Sequence, residues 1–395
     1  MLLPPMNGLS EIIRREAELC GSITFARFME LSLYCPELGY YERIANTPGR
    51  RGDYYTSVSV GSLFGELLAT QFSHWLGQLE TRRREHGAAP GFQLLEAGAH
   101  NGQLAADILA WFKSCQPQLF HKLDYWILEP SPRRRRWQEK MLSRFDGRIR
   151  WFDSWKELPR RGVRGIIFSN ELLDAMPVHR LGWDARSKTW FEWGVSAQGE
   201  RFVWKKLPTG RVPLDALPPT RVPNWPELPA GLTAVFPDGF RTEICPAAVE
   251  WWREAATALE RGWLLTLDYG LTAEQFISPE RAEGTLRAYD RHQQSADLLA
   301  SPGEQDLTAH VNLTALQEAG ESAGLTTEGV FSQGQFLTRI AQTTWGDEPG
   351  SAEWTSARTR QFQTLTHPEH LGRFNLLIQT RVDAAHAAAD GRSKS

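Results

Sequence analysis

Residues 92–104, Phe-Gln-Leu-Leu-Glu-Ala-Gly-Ala-His-Asn-Gly-Gln-Leu, read as a buried strand that ends on an acid, turns through glycines and starts a helix. Phe92, Leu94 and Leu95 form the apolar run, Gly98 and Gly102 supply the turn, and Leu104, Ile108 and Phe112 follow at helical spacing. Such a unit delivers the end of a strand to a helix N-terminus, which is where α/β sheets bind nucleotide cofactors. About one βα repeat later, Leu123 to Leu128 read as a second strand closing on Glu129, whose carboxylate can take both hydroxyls of a ribose.

A glycine turn after a strand is also ordinary turn chemistry, so the order of features carries the argument. The segment Gly98-Ala-His-Asn-Gly102 lacks the glycine spacing of G-x-G-x-x-G, in which the backbone closes onto a pyrophosphate. No pyrophosphate is demanded, and the expected cofactor is S-adenosyl-L-methionine rather than a dinucleotide.

With 395 residues, 41% hydrophobic and 23% charged, the chain can bury a large core and exceeds one minimal domain, so one domain with a big insertion, or two, is expected. A formal net charge of −3 gives no global attraction to nucleic acid or to an anionic membrane, and neither is expected as a partner. Cys20, Cys35, Cys115 and Cys245 are far apart and form no C-x-x-C, which predicts buried thiols in a reducing compartment. No apolar run is long enough to span a bilayer, and Met1 to Gly8 lacks a secretion pattern, so a soluble cytoplasmic protein is expected.

Along the chain, Ile13, Ala17 and Cys20, then Phe25, Phe28 and Met29, predict two helices ahead of the first strand. They belong to an N-terminal helical extension, residues 1–90, that includes a polar loop at Gly52 to Ser59 feeding a helix with Leu63, Phe64, Leu67, Leu68 and Phe72 on one face. Residues 91–383 form the main domain. Pro132 to Leu142 read as a basic helix, with Arg133 to Arg136 taken as a solvated face. Further strands are expected at Ile149 to Phe152, ending at Asp153-Ser154, and at Val163 to Ser169, running into Asn170-Glu-Leu-Leu-Asp174.

Residues 181–244 break the βα rhythm. Segments such as Trp190 to Val195 and Arg201 to Lys205 look like antiparallel strands, and seven prolines fall between Pro208 and Pro229, which marks a β-rich, Pro-rich insertion. The rhythm resumes with a helix from Ala247 to Leu259 and a strand Trp263 to Leu267 ending at Asp268-Tyr-Gly270. Residues 271–312 hold few aliphatic runs and predict a lid or long ordered loop, strands are expected near Gly329 to Phe331 and Phe374 to Thr380, and the tail 384–395 reads as disordered.

Several segments together resemble the MidA-like S-adenosylmethionine-dependent methyltransferases. They are Ile23 to Met29 with Gly39-Tyr-Tyr41, Gly52-Asp-Tyr-Tyr-Thr-Ser57 with Phe64-Gly-Glu66, Asn170-Glu-Leu-Leu-Asp-Ala-Met-Pro-Val-His179, Asp268-Tyr-Gly270, Gly284-Thr-Leu-Arg287 with His292, and Asp306 to Val311. The matches run in the family's order from about residue 23 to residue 340, and the family includes the protein arginine methyltransferase needed for assembly of mitochondrial respiratory complex I. The resemblance implies a class I methyltransferase fold, an α/β Rossmann-like sheet of seven strands with the last antiparallel. On the cofactor side it implies Asp53, Thr56, Ser57, Glu96, Gly98, His100, Gly102, Glu129, Asp153, Ser154 and Asn170. Glu171, Asp174 and His310 are implied as catalytic. Two departures stand out: His100 replaces a glycine of the family's loop, and Asn312 replaces an aspartate.

Methyl transfer from a sulfonium is an in-line displacement that a protein assists chiefly by proximity and orientation, and it requires no metal. A guanidinium acceptor enters positively charged beside a positive sulfonium, so carboxylates are needed to hold it, and a bidentate carboxylate fits its planar fork. Glu171 and Asp174, following the fourth strand, are placed for that work; the plain alternatives are a helix N-terminal acid and a surface cap. His179, His292 and His310 could accept a proton or orient a carboxylate, or serve as structural histidines. His367-Pro-Glu-His370 lacks a third ligand for a metal. The expectation is a methyltransferase acting on an arginine of a partner protein. An inactive cofactor-binding assembly factor, a small-molecule methyltransferase and, least favoured, a nicotinamide-dependent oxidoreductase stay open.

Overall fold

The computed structural model describes residues 8–43, 56–84, 91–207, 235–290, 293–345 and 354–381. These form two compact units, one from residues within 1–54, 173–250 and 270–315, the other from 55–172, 251–269 and 316–395.

The second unit is built on a seven-stranded sheet: β1 (Phe92–Ala97), β2 (Leu123–Leu128), β3 (Ile149–Phe152), β4 (Val163–Asn170), β5 (Leu259–Asp268), β6 (Thr326–Ser332) and β7 (Asn375–Arg381). Their spatial order is β6-β7-β5-β4-β1-β2-β3. The β5-β4-β1-β2-β3 pairs are all parallel, while β7 runs antiparallel to both β5 and β6. A parallel sheet is covered on both faces, so its central strands are continuously apolar, as in Val163, Ile166, Ile167 and Phe168 of β4, all 0% exposed. Cover comes from helices α1 (Leu63–Arg84) and α2 (Gln103–Cys115), whose apolar stripes enter the same core. Aromatic rings seal the joint: Trp75 of α1 stacks on Trp263 of β5 at 5.0 Å and 8°, and Phe72 meets Phe168 at 5.1 Å.

All seven strands fall where the sequence placed them, with β5 extended back to Leu259 by pairing with β4 across an irregular register at Leu259/Arg261. The helices Gln333–Trp345 and Ser356–Thr366, by contrast, were not anticipated. Polar residues such as Gln333, Arg339, Gln342, Arg358 and Gln361 dilute their apolar stripes.

In the first unit, helices Gly8–Cys20 and Phe25–Tyr34 share a core with strands Thr189–Gln198 and Arg201–Lys206 of an antiparallel sheet that also includes His179–Asp184 and Arg241–Ile244. Thr24 caps the second helix by accepting the Arg27 N–H at 3.1 Å. Residues 271–312 are not one long loop. They carry a capped helical turn, Ala273–Phe276, and a small sheet in which Arg287–Asp290 pairs with Gln293–Ser295 and Asp306–Thr308. Strands this short and polar lack the alternation that would reveal them in sequence. The prolines between Pro208 and Pro229, and the tail from 384, lie outside the described residues.

The cysteines form no disulfide and are not buried: Cys20 and Cys115 are exposed and Cys35 and Cys245 partly so. Cys20 and Cys115 each end a helix, where the apolar stripe has run out. Among the described residues no helix is long and apolar enough to cross a membrane.

Candidate cofactor and acceptor site

Five parallel strands of the second unit end on one edge of the sheet, and their last residues gather the polar groups. After β1 the backbone turns through Gly98 (φ +72°), His100 (φ +46°) and Gly102 (φ +85°) before α2 begins at Gln103. Left-handed conformations of this kind are open to glycine and costly for a residue with a Cβ. A Cβ on Gly98 would also come 2.7 Å from Leu172 Cδ1. His100 carries its side chain in the turn because the ring sits near Trp137, with centroids 6.4 Å apart. Burial, reinforced by the Arg134 charge, lowers its pKa to about 4, so the imidazole is neutral at physiological pH.

Glu129 follows β2 and is 1% exposed. Its Oε1 accepts the Ser131 N–H at 2.9 Å and lies 3.2 Å from Arg134 Nε, while Oε2 accepts from Gln138 Nε2 at 3.0 Å. Gln138 also donates to the His100 carbonyl at 3.0 Å and accepts the Trp151 indole N–H at 3.0 Å, tying the ends of β1, β2 and β3 together. Arg134 and Gln138 are missed by sequence reasoning, which took the arginine run as a solvated face. Arg134 in fact turns inward to Glu129, and only the i,i+4 spacing of Arg134 and Gln138 on helix Pro132–Leu142 pointed to a shared inward face.

Glu96 lies one strand over and 3% exposed, where its carboxylate accepts the Tyr125 hydroxyl at 2.6 Å. Burial raises its pKa to about 7 against the opposing effect of that hydrogen bond. Asp153 and Ser154, after β3, are exposed, and Asp153 pairs with Arg135 at 3.1 Å. Asn170 closes β4 and donates to Glu171 Oε1 at 3.1 Å. Glu171 itself sits at φ +50°, its N–H bonded to the Leu267 carbonyl at 2.9 Å and its Oε1 accepting the Ser57 N–H at 3.1 Å. The next N–H, of Leu172, reaches Asp268 Oδ2 at 3.2 Å, so the buried acid ending β5 holds the turn after β4. Thr56 and Ser57 are buried. Thr56 exchanges hydrogen bonds with Ser59, and the Ser57 hydroxyl is directed at Gln333. Beside Asp268, Tyr269 forms one wall of a cavity of about 500 Å³ that His367, His370 and Arg373 also line.

Not every sequence candidate is in this unit. Asp53 and His292 lie outside the described residues. Asp174 and His310 belong to the first unit, where the Ala309 N–H bonds the Asp174 carbonyl at 2.9 Å and the His310 N–H bonds Thr285 Oγ1 at 3.2 Å. His179 there is structural, its Nδ1 2.6 Å from Glu192 Oε1 in a buried pair.

The residues present fit S-adenosyl-L-methionine. Positive φ at Gly98 and Gly102 makes the tight turn after β1 that such a cofactor meets, the neutral imidazole of His100 brings no positive charge toward a sulfonium, and the acid after β2 stands at the strand end where a ribose is held. A sheet of this strand order, with that turn and that acid, defines a class I S-adenosylmethionine-dependent methyltransferase.

The chain belongs to the MidA-like family: residues 67–331 match the family model described as "Putative S-adenosyl-L-methionine-dependent methyltransferase". It is 26% identical over 400 residues to the mitochondrial protein arginine methyltransferase NDUFAF7 of Danio rerio, covering 92% of this chain and 85% of the relative. The Mus musculus protein of the same name is 27% identical over 411 residues, covering 94% and 84%. A crystal structure from Burkholderia thailandensis, bound to S-adenosyl-homocysteine, is 30% identical with a TM-score of 0.77 over 96% of this chain and 95% of that one. The protein is an S-adenosyl-L-methionine-dependent methyltransferase.

Proposed function

We propose that the methyl acceptor is an arginine side chain of a partner protein, and that Glu171 holds its guanidinium. The observation that carries this reading is the Glu171 carboxylate, fixed by the Ser57 and Asn170 donors at the end of β4 on the same sheet edge as the cofactor turn. The names of the relatives support the choice of arginine. Bound S-adenosyl-L-methionine supplies the methyl group on its sulfonium. Glu171 offsets the charge of the guanidinium that must approach it, and a carboxylate meets that planar fork in two parallel hydrogen bonds. Asn170 and Ser57 orient the carboxylate before the acceptor arrives, which is how a preorganised electrostatic site gains rate. Asp174 and His310 stay proposed as catalytic on the family resemblance alone. For the compartment we propose a reducing cytoplasm, which cysteines outside any disulfide favour.

The test is Glu171→Gln, isosteric and uncharged. Affinity for S-adenosyl-L-methionine should stay near that of the wild type by calorimetry, while methyl incorporation into lysate protein falls on the order of 10²-fold. Transfer at the wild-type rate would remove Glu171 from acceptor binding. Joint loss of affinity and transfer would make it a cofactor ligand, and methylation of a small molecule but no protein would overturn the acceptor class.

A further inference from the structure

We infer that Gln333 is a positioning residue for methyl transfer, acting through Ser57 on Glu171. This rests on the reading that Glu171 holds the acceptor.

Gln333 opens the helix Gln333–Trp345 and is 0% exposed. Three segments meet on it. Its N–H bonds the Phe374 carbonyl ahead of β7 at 2.7 Å, and its Nε2 donates to the Leu365 carbonyl at 3.0 Å. Its Oε1 accepts the Ser57 hydroxyl at 3.1 Å. Because Leu365 offers only an acceptor, the amide nitrogen must face it, which turns the oxygen toward Ser57 and fixes which group there can bond. Ser57 is likewise 0% exposed, so its hydroxyl has no solvent to turn to, and the hydroxyl bond sets the position of the residue whose N–H reaches Glu171 Oε1.

Glu171 needs such an anchor. Its backbone occupies the left-handed region, a conformation that persists in a residue with a side chain only where neighbours over-determine it. The Leu267 and Asp268 bonds fix the backbone on either side of the turn, but the carboxylate is oriented by the Asn170 and Ser57 donors. Asn170 is adjacent in sequence and moves with the turn. Ser57 is 114 residues away, and Gln333 is 276 residues from Ser57, so this arm ties the carboxylate to a segment distant in the chain.

Ser57→Ala separates this role from the plain one of satisfying the Leu365 carbonyl, because it deletes the link and leaves the Gln333–Leu365 bond intact. Ser57→Ala and Gln333→Met should each slow methyl incorporation into lysate protein about three- to tenfold, the range of one lost hydrogen bond. Affinity for S-adenosyl-L-methionine should stay within twofold, an outcome that also takes Ser57 out of the cofactor-binding set in which the resemblance placed it. Ser57→Thr, which keeps a hydroxyl, should restore most of the rate. The inference is overturned if Ser57→Ala and Gln333→Met both work at the wild-type rate while Glu171→Gln does not. A folded Ser57→Thr as slow as Ser57→Ala, or a rate loss matched by an equal loss of cofactor affinity, overturns it as well. A Glu171→Gln enzyme at full rate removes instead the reading beneath it.

Discussion

Glu129 shows how much one residue's surroundings add to its type. Its position after the second strand marked it as the candidate ribose acid, but its neighbours also make it the acceptor for Ser131 and Gln138 and the ion-pair partner of Arg134 in a buried site. Glu129→Ala should therefore act twice. Loss of a charge-assisted bond to the ribose costs about 1.5–3 kcal/mol of cofactor binding, roughly tenfold or more in affinity. Loss of the acceptor leaves buried donors unsatisfied, so the melting temperature should fall even without cofactor. Calorimetric titration of the folded variant measures the first effect, and unchanged affinity would take Glu129 out of the site. Beyond their i,i+4 spacing, Arg134 and Gln138 gave no signal, because an arginine run and a helical glutamine look the same whether the face is wet or buried. Only the packing of helix Pro132–Leu142 against the strand ends distinguishes them.

At the scale of elements, the turn between β1 and α2 was legible because glycine is needed twice at positive φ, and a strand, a turn and a helix in 24 residues leave few arrangements. The structure changes what Gly98→Val should do. Steric exclusion of the cofactor is expected, but valine at φ +72° with its Cβ 2.7 Å from Leu172 Cδ1 also strains the turn by on the order of 1–3 kcal/mol. The variant should melt lower than the wild type and lose its cofactor-induced shift. Retention of the full shift would move the methionine moiety away from this turn. The short strands within residues 271–312, such as Asp306–Thr308, were not legible because they are stabilised by partners distant in sequence rather than by their own pattern.

Across the whole molecule, Glu96 makes stability depend on pH. Its carboxyl titrates near 4.5 when unfolded and near 7 when buried beside Tyr125, so between those values the native state keeps a proton that the unfolded state has released. The contribution is full below the lower value and is lost as pH rises through the upper one. Glu96→Gln, which cannot ionise, should gain on the wild type by on the order of a few kcal/mol between pH 5 and pH 8 in urea unfolding. A stability difference that stays flat with pH would show that the carboxylate is not sealed. The sequence by itself determined the seven strands, the glycine turn after β1, the position of the acid after β2 and the family, because each depends on local periodicity, turn chemistry or a run of adjacent residues. Tertiary structure alone decided that the N-terminal helices, the β-rich insertion and residues 270–315 share one unit, that Arg134 faces Glu129, and that Gln333 meets Ser57. Those outcomes depend on hydrogen bonds and cores closed between residues far apart in the chain, and no local pattern records which distant partner a buried polar group will find.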